Sequence, residues 1–463
     1  MEYFDHGHSR LLPGLIDFVV MGFYLMLMFL VAHYIQNRNQ EINPAYKYYK
    51  WGLFASVLGA IALCMVYSLY YKDGGDSTMF FRNSQSLVKL LFKDPANFFR
   101  ILFGHRSPEI YYVFDNDTGW PWMFRDPESF VVVRFASVFT LLGLGNYYTA
   151  SILVAWVTYT GSWRLYLLFC QLYPGLEKYF AAAILFYPSL VFWGSPILKD
   201  SFSLMAIGFF TYSFYHGLIE RRQITKNLLI ILLSAIVIVS IKAYILVALM
   251  PGVFIWFSFA RLKRIQNPVL RWALAPSVII VFLFLAFGFL SLFSESLGEY
   301  GNVQAMITKA MITQDDLMRG EAYSENYFDI GRIDGTLTGF VKLAPQAIIA
   351  GIYRPFLWDV RNVLMLLAGI ENTILLLVSV LIFWRTGIVK GIKIIANEPL
   401  VIFSLLFAII FAFAVGVTTA NFGALVRLRI PLLPFFAGSL AILYNLSLQY
   451  KMEKNKESLV MDK

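Results

Sequence analysis

Apolar residues in this chain come in blocks of about 20, parted by short polar links, and not in the alternation of a half-buried strand. At 1.5 Å of helix per residue, such a block matches the roughly 30 Å hydrocarbon core of a bilayer. Spans are expected at Leu15–Ile35, Trp51–Tyr70, Tyr147–Leu168, Tyr179–Ile197, Ser201–Leu218, Asn227–Ser240 and Ala243–Phe259. Further spans are expected at Trp272–Phe293, Val360–Trp384, Leu400–Val417 and Ile430–Leu446. Phe130–Leu144 is apolar but short, and reads as a half-helix that does not cross. Asn227–Ser240 and Ala243–Phe259 hinge at Lys242. The fold class this predicts is all-α, a polytopic transmembrane helix bundle of about 11 spans. Residues 1–450 form one transmembrane domain, and 451–463 a charged cytoplasmic tail.

The polar links set the expected orientation. Arg38, Lys47 and Lys50, then Arg221, Arg222 and Lys226, then Arg261, Lys263, Arg264 and Arg271 make three basic links, which belong in the cytoplasm by the positive-inside rule. The N-terminus is then outside and the C-terminus inside, as in a multi-pass protein of a bacterial inner membrane. Two long outer loops follow, 71–129 and 294–358, the second rich in acids. Each carries an expected interfacial helix. In the first, Lys89, Lys93, Asn97 and Arg100 recur at helical spacing opposite Leu87, Leu91, Phe98 and Leu102, and Pro95 kinks or splits the segment. Leu337–Ile352 is the second.

Composition narrows the class further. The chain is 59% hydrophobic and only 14% charged, against about 25% charged in soluble domains. Its net charge of +9 lies in short loops, so nucleic acid is not the expected partner. Cys64 and Cys170 sit far apart in apolar surroundings, and no disulfide is expected. The first ten residues lack the basic head and small-residue cleavage site of a signal peptide. Their His6-Gly7-His8 reads as a chain end, and His or Cys metal spacing is absent elsewhere. Asn116-Asp117-Thr118 is a formal glycosylation sequon.

Candidate chemistry gathers on the expected outer side. Asp73 and Asp76 flank Gly74-Gly75 directly after the second span, where a flexible turn could present a carboxylate to a cation or a proton. Lys199 and Asp200 cap a tight hairpin after Pro196, and are expected to point into the same cavity as Asp76. Arg354, Asp359 and Arg361 precede one span, and Arg427 and Arg429 another. Cations beside carboxylates at a membrane suit a phosphate-bearing headgroup. Arg361 and Lys242, taken singly, read as snorkelling side chains. Glu371 lies near the middle of its span, where an ionisable group is costly. A structural hydrogen bond is its favoured role, with Arg134 or Asn421 the expected partner.

Four stretches carry a resemblance: Gly75-Asp76-Ser77-Thr78-Met79-Phe80, Phe186–Asp200, Tyr353-Arg354-Pro355-Phe356-Leu357-Trp358 and Arg427-Leu428-Arg429-Ile430-Pro431. In order and setting the chain resembles polytopic glycosyltransferases of the GT-C fold, and bacterial membrane proteins of surface-polysaccharide synthesis. One extra span stands in front of the family pattern. The resemblance implies sugar transfer or polymerisation from a polyprenyl-phosphate-linked donor to a glycan or protein acceptor on the extracytoplasmic face. It implies Asp76, with Asp73 second, as base or acceptor binder. Lys199, Asp200, Arg354, Arg427 and Arg429 would bind substrate, and a divalent cation is an open cofactor. A transporter or flippase of a lipid-linked or anionic substrate remains the alternative, as does a non-catalytic component of an envelope machine.

Overall fold

A computed structural model of the chain describes residues 11–71, 75–104, 106–262, 303–319, 328, 330–419 and 421–461. Among them the fold is helical. Seven helices are long and apolar enough to cross a membrane: Leu15–Asn39, Pro44–Tyr70, Lys199–Ile219, Ile224–Leu262, Met365–Thr386, Pro399–Thr418 and Phe422–Tyr450. A bent pair, Pro127–Leu142 and Tyr147–Leu172, turns through 114° and makes up to eight. These helices make it a multi-pass membrane protein by architecture. The expected Trp272–Phe293 span lies outside the described residues, as do Asp73 and the His6-Gly7-His8 end.

The chain divides into two compact units, residues 1–213 with 229–242, and 214–228 with 243–463. The first begins with α1 (Leu15–Asn39) and α2 (Tyr49–Met65), which is prolonged by a π-helical turn at Val66–Tyr70. Then α3 (Asp76–Lys93) and α4 (Pro95–Phe103) follow. Asp94 lies between them and accepts from Asn97 N, so Pro95 splits the segment and opens α4. Phe80, Phe81, Leu87, Val88 and Leu90 of α3 are buried, and the helix packs on α5 (Pro127–Leu142). The expected half-helix is therefore α5. Leu144 and Gly145, both at positive φ, turn the chain into α6 (Tyr147–Leu172), which Asn146 caps.

The run expected as the Tyr179–Ile197 span is instead three short pieces: α7 (Glu177–Phe180), a π-helical turn at Ala181–Leu185, and α8 (Pro188–Trp193). Pro188 cannot continue the preceding turn's hydrogen bonding, and Pro196 ends the stretch. Hydrophobicity alone does not see these breaks. Next, α9 (Lys199–Phe214) starts at Lys199 itself. The pair expected at Asn227–Ser240 and Ala243–Phe259 is one long segment, α10 (Ile224–Leu262), broken at Lys242 (φ −152°, ψ 79°).

The second unit holds the rest. It contains α11 (Val303–Arg319), α12 (Leu337–Lys342), α13 (Ala344–Tyr353) and α14 (Val363–Thr386). After them come α15 (Ile388–Asn397), α16 (Pro399–Thr418), α17 (Phe422–Leu428) and α18 (Leu433–Met461). The Leu337–Ile352 stretch is α12 and α13, and α13 packs closely on α16. A Cβ on Gly351 would stand 2.2 Å from Ala412 O, and one on Gly416 2.0 Å from Ala347 O. Small residues let the two backbones touch, which is how helices gain contact in lipid, where water provides little driving force.

Candidate headgroup pocket

In the second unit, α13 ends at Tyr353 and the chain turns through Arg354–Asn362 before α14. Asp359 organises that turn. It accepts from Phe356 N at 2.9 Å, and from Arg354 through Nε at 3.1 Å and Nη2 at 3.0 Å. The Arg354–Asp359 pair is thus a bidentate fork, the strongest common form of ion pair. The Arg354 guanidinium also lies 5.0 Å over the Phe328 ring and 5.2 Å over Phe422, which are themselves stacked. Partial burial of Asp359 works against its charge, but the Arg354 hydrogen bonds outweigh it, and its carboxyl sits below the usual carboxylate range.

Around this pair is a cavity of about 320 Å³, lined by Phe328, Arg354, Trp358, Asp359, Val360, Arg361 and Phe422. Arg361 and Trp358 are exposed at it, and Trp358 stacks on Phe356 at 4.7 Å. The cavity thus carries two guanidiniums, one carboxylate already bound to the first of them, and aromatic walls. It opens at the foot of α14, whose Leu366, Leu367, Ile370 and Ile374 are exposed apolar residues.

Arg429 supports the turn from below and is fully buried. Its Nη1 donates to Ile352 O and Arg354 O, each at 3.0 Å, and Nη2 donates to Asn372 Oδ1. Glu371 Oε1 lies 3.8 Å from Nη2. Arg429 therefore fixes the backbone of Arg354 from within the protein, where a substrate-binding role was expected of it. Glu371 thus has in Arg429 an ion-pair partner that its sequence position did not suggest, where Arg134 or Asn421 was expected. Arg427, partly exposed, lies near the end of α17.

The first unit holds the other candidates. Asp76 is the first residue of α3 and is partly exposed. Lys199 Nζ lies 3.5 Å from both Asp126 Oδ2 and Glu128 Oε2, near the start of α5. Asp200, one residue on, is turned the other way. It is fully buried and paired with Lys242, which is 4% exposed. The expected shared aim of Lys199 and Asp200 gives way to two separate ion pairs, and Lys242 is a buried partner where a snorkelling side chain was expected. On the rim, Lys93 bridges Asp115 and Asp117 and, with the Thr118 amide, holds the Asp115 carboxyl down at about 2. Among the described residues no three His, Cys, Asp or Glu side chains converge as metal ligands would.

No protein-family model, curated protein or solved structure matches the chain.

Sequence reasoning singled out Arg354 as a substrate-binding candidate and noted Asp359 beside it, while reading Arg361 as a snorkelling side chain. It missed Phe328 and Phe422, whose place against Arg354 depends on segments 26 and 68 residues away in the chain. It also missed the Asp200–Lys242 pair, which spans 42 residues.

Proposed function

We propose that this protein is a membrane glycosyltransferase or polysaccharide polymerase that takes a sugar from a polyprenyl-phosphate-linked donor, the donor phosphate lying in the Arg354–Arg361 pocket. One observation carries the reading: two guanidiniums and aromatic walls meet in a cavity at the foot of a long helix with an exposed apolar face. Guanidinium forks suit phosphate oxygens, aromatic faces suit sugar rings, and the α14 face suits a prenyl chain. Asp359 is engaged by Arg354 and holds it in place, so it is not the base. Asp76, at the head of α3, keeps that assignment on its sequence position, tested separately from the pocket.

The test uses purified protein in detergent with a lipid-linked sugar and an acceptor, read by product mass. Arg361→Ala is expected to weaken donor binding about 10- to 100-fold, the worth of a charged hydrogen bond. Asp76→Asn is expected to retain donor binding and lose product about 100- to 10,000-fold. Full product from Asp76→Asn removes Asp76 as the base, and unchanged donor binding in Arg361→Ala removes the pocket.

A second reading, transport of a lipid-linked or anionic substrate, draws support from discontinuous helices, the 114° bend before α6 and the break at Lys242. Under it the pocket variant impairs binding and no glycosidic bond forms with any variant.

A further inference from the structure

Arg106 and Arg134, in the first unit, take no part in the proposed pocket. Arg106 follows α4, donates from Nη1 to Phe124 O, and lies 5.7 Å over the Phe124 ring. Arg134, in α5, donates from Nη2 to Gly104 O at 2.9 Å and lies 5.3 Å over the Phe130 ring. Those two rings meet edge to face at 4.8 Å, so the two cations share one aromatic pair. The charge of Arg106 acts directly on Arg134. Neither guanidinium has a carboxylate within 4.0 Å among the described residues, and Arg134 Nε is buried with no hydrogen-bond partner. Each guanidinium has five donors and spends one of them here.

Lys93, Lys199 and Lys242 of this unit each face a carboxylate, whereas Arg106 and Arg134 face one aromatic pair. Two cations held together with no anion between them repel, and the repulsion grows as water is excluded. An anion with several acceptor oxygens would relieve it. The neighbouring surface indicates how that anion is carried. On α4, Phe98 and Ile101 are buried while Phe99 is 52% and Phe103 80% exposed. Exposed rings of this size on a short amphipathic helix belong at the boundary of headgroups and acyl chains.

We propose that Arg106 and Arg134 bind the phosphate headgroup of an anionic membrane lipid whose chains lie along Phe99 and Phe103.

The experiment titrates the full chain, purified in a neutral detergent, with phosphatidic acid, phosphatidylcholine and inorganic phosphate, read by native mass spectrometry. Phosphatidic acid is expected to bind at least tenfold more tightly than either of the others. Arg106→Gln and Arg134→Gln are each expected to weaken it about 10- to 100-fold. Phe99→Ser with Phe103→Ser is expected to weaken phosphatidic acid and leave free phosphate unchanged. The same titration in an Arg354→Ala background separates this site from the second-unit pocket, and retained binding there is expected. Free phosphate as tight as the lipid, binding in the arginine variants unchanged from the parent, or loss of binding in Arg354→Ala each overturns the proposal. Should Arg134→Gln fail to fold by thermal unfolding, Arg106→Gln and the charge-keeping Arg134→Lys decide the outcome.

Discussion

Replacing Arg429 with methionine tests the support beneath the Arg354 turn. The side chain is fully buried, so the variant leaves Glu371 as a charge with its near cation removed. It also strips donors from Ile352 O, Arg354 O and Asn372 Oδ1. Breaking a buried ion pair from one side costs about 3–5 kcal/mol. The lost charged hydrogen bonds, about 1.5–3 kcal/mol each, belong to the same network and do not simply add. A loss of about 4 kcal/mol is expected. Adding Glu371→Leu removes the stranded charge and should restore about 2 kcal/mol, since ion pairs replaced by apolar residues are often close to neutral. Denaturant unfolding in detergent, across all four members of the cycle, measures both numbers. If Arg429→Met lies within about 0.5 kcal/mol of the parent, or the double variant is no better than the single, the buried network does not support the turn.

Three further outcomes follow from the same geometry. Lys242→Met should cost about 3–5 kcal/mol, and Asp200→Leu in the same chain should recover much of it; equal stability of single and double variants refutes the pairing. Gly351→Val and Gly416→Val each drive a side chain into the facing backbone of α13 or α16, and should cost about 1–3 kcal/mol by unfolding, whereas Gly351→Ala at parental stability would refute the close approach. Asp359 has its carboxyl depressed in the folded state, so its pair with Arg354 contributes stability in full above the usual carboxylate value of about 3.9 and loses it as pH falls through the lower folded value. Unfolding of Asp359→Asn should therefore be flatter than the parent below about pH 4, and parallel curves would refute it.

Most of the helical framework is legible in the sequence, for identifiable reasons. Long apolar runs force backbone groups to pair within a helix. Asn146, Asn362, Asn421 and Asp126 each accept from the backbone of the helix they precede, and all are cap residues by type. The short Phe130–Leu144 run falls on α5, which Leu144 and Gly145 at positive φ part from α6. Tyr179–Ile197 fails because apolar composition is shared by a spanning helix and by irregular backbone buried inside the protein, and only Pro188, Gly194 and Pro196 tell them apart. The pocket is legible in part. Charges flanking an apolar run mark Arg354 and Asp359, but burial is a property of the packed fold, so Arg429 reads in sequence as a substrate-binding cation beside Arg427 and not as a buried support. Partner choice is equally silent: Asp200 sits beside Lys199 in the chain and pairs with Lys242.

That last pairing also bears on how the protein is made. Asp200 precedes Lys242 by 42 residues, and at about 5 to 20 residues per second the interval between them is about 2 to 8 s. During that time α9 carries a carboxylate whose later counter-ion does not yet exist, and Lys199 is the cation nearest in the growing chain. Leaving a charged side chain in the bilayer costs about 2.5–3.5 kcal/mol at the centre of a span and less in its first turn, where Asp200 stands. The insertion machinery therefore has reason to retain α9 until the segment holding Lys242 has emerged, so that both leave together as a neutral unit.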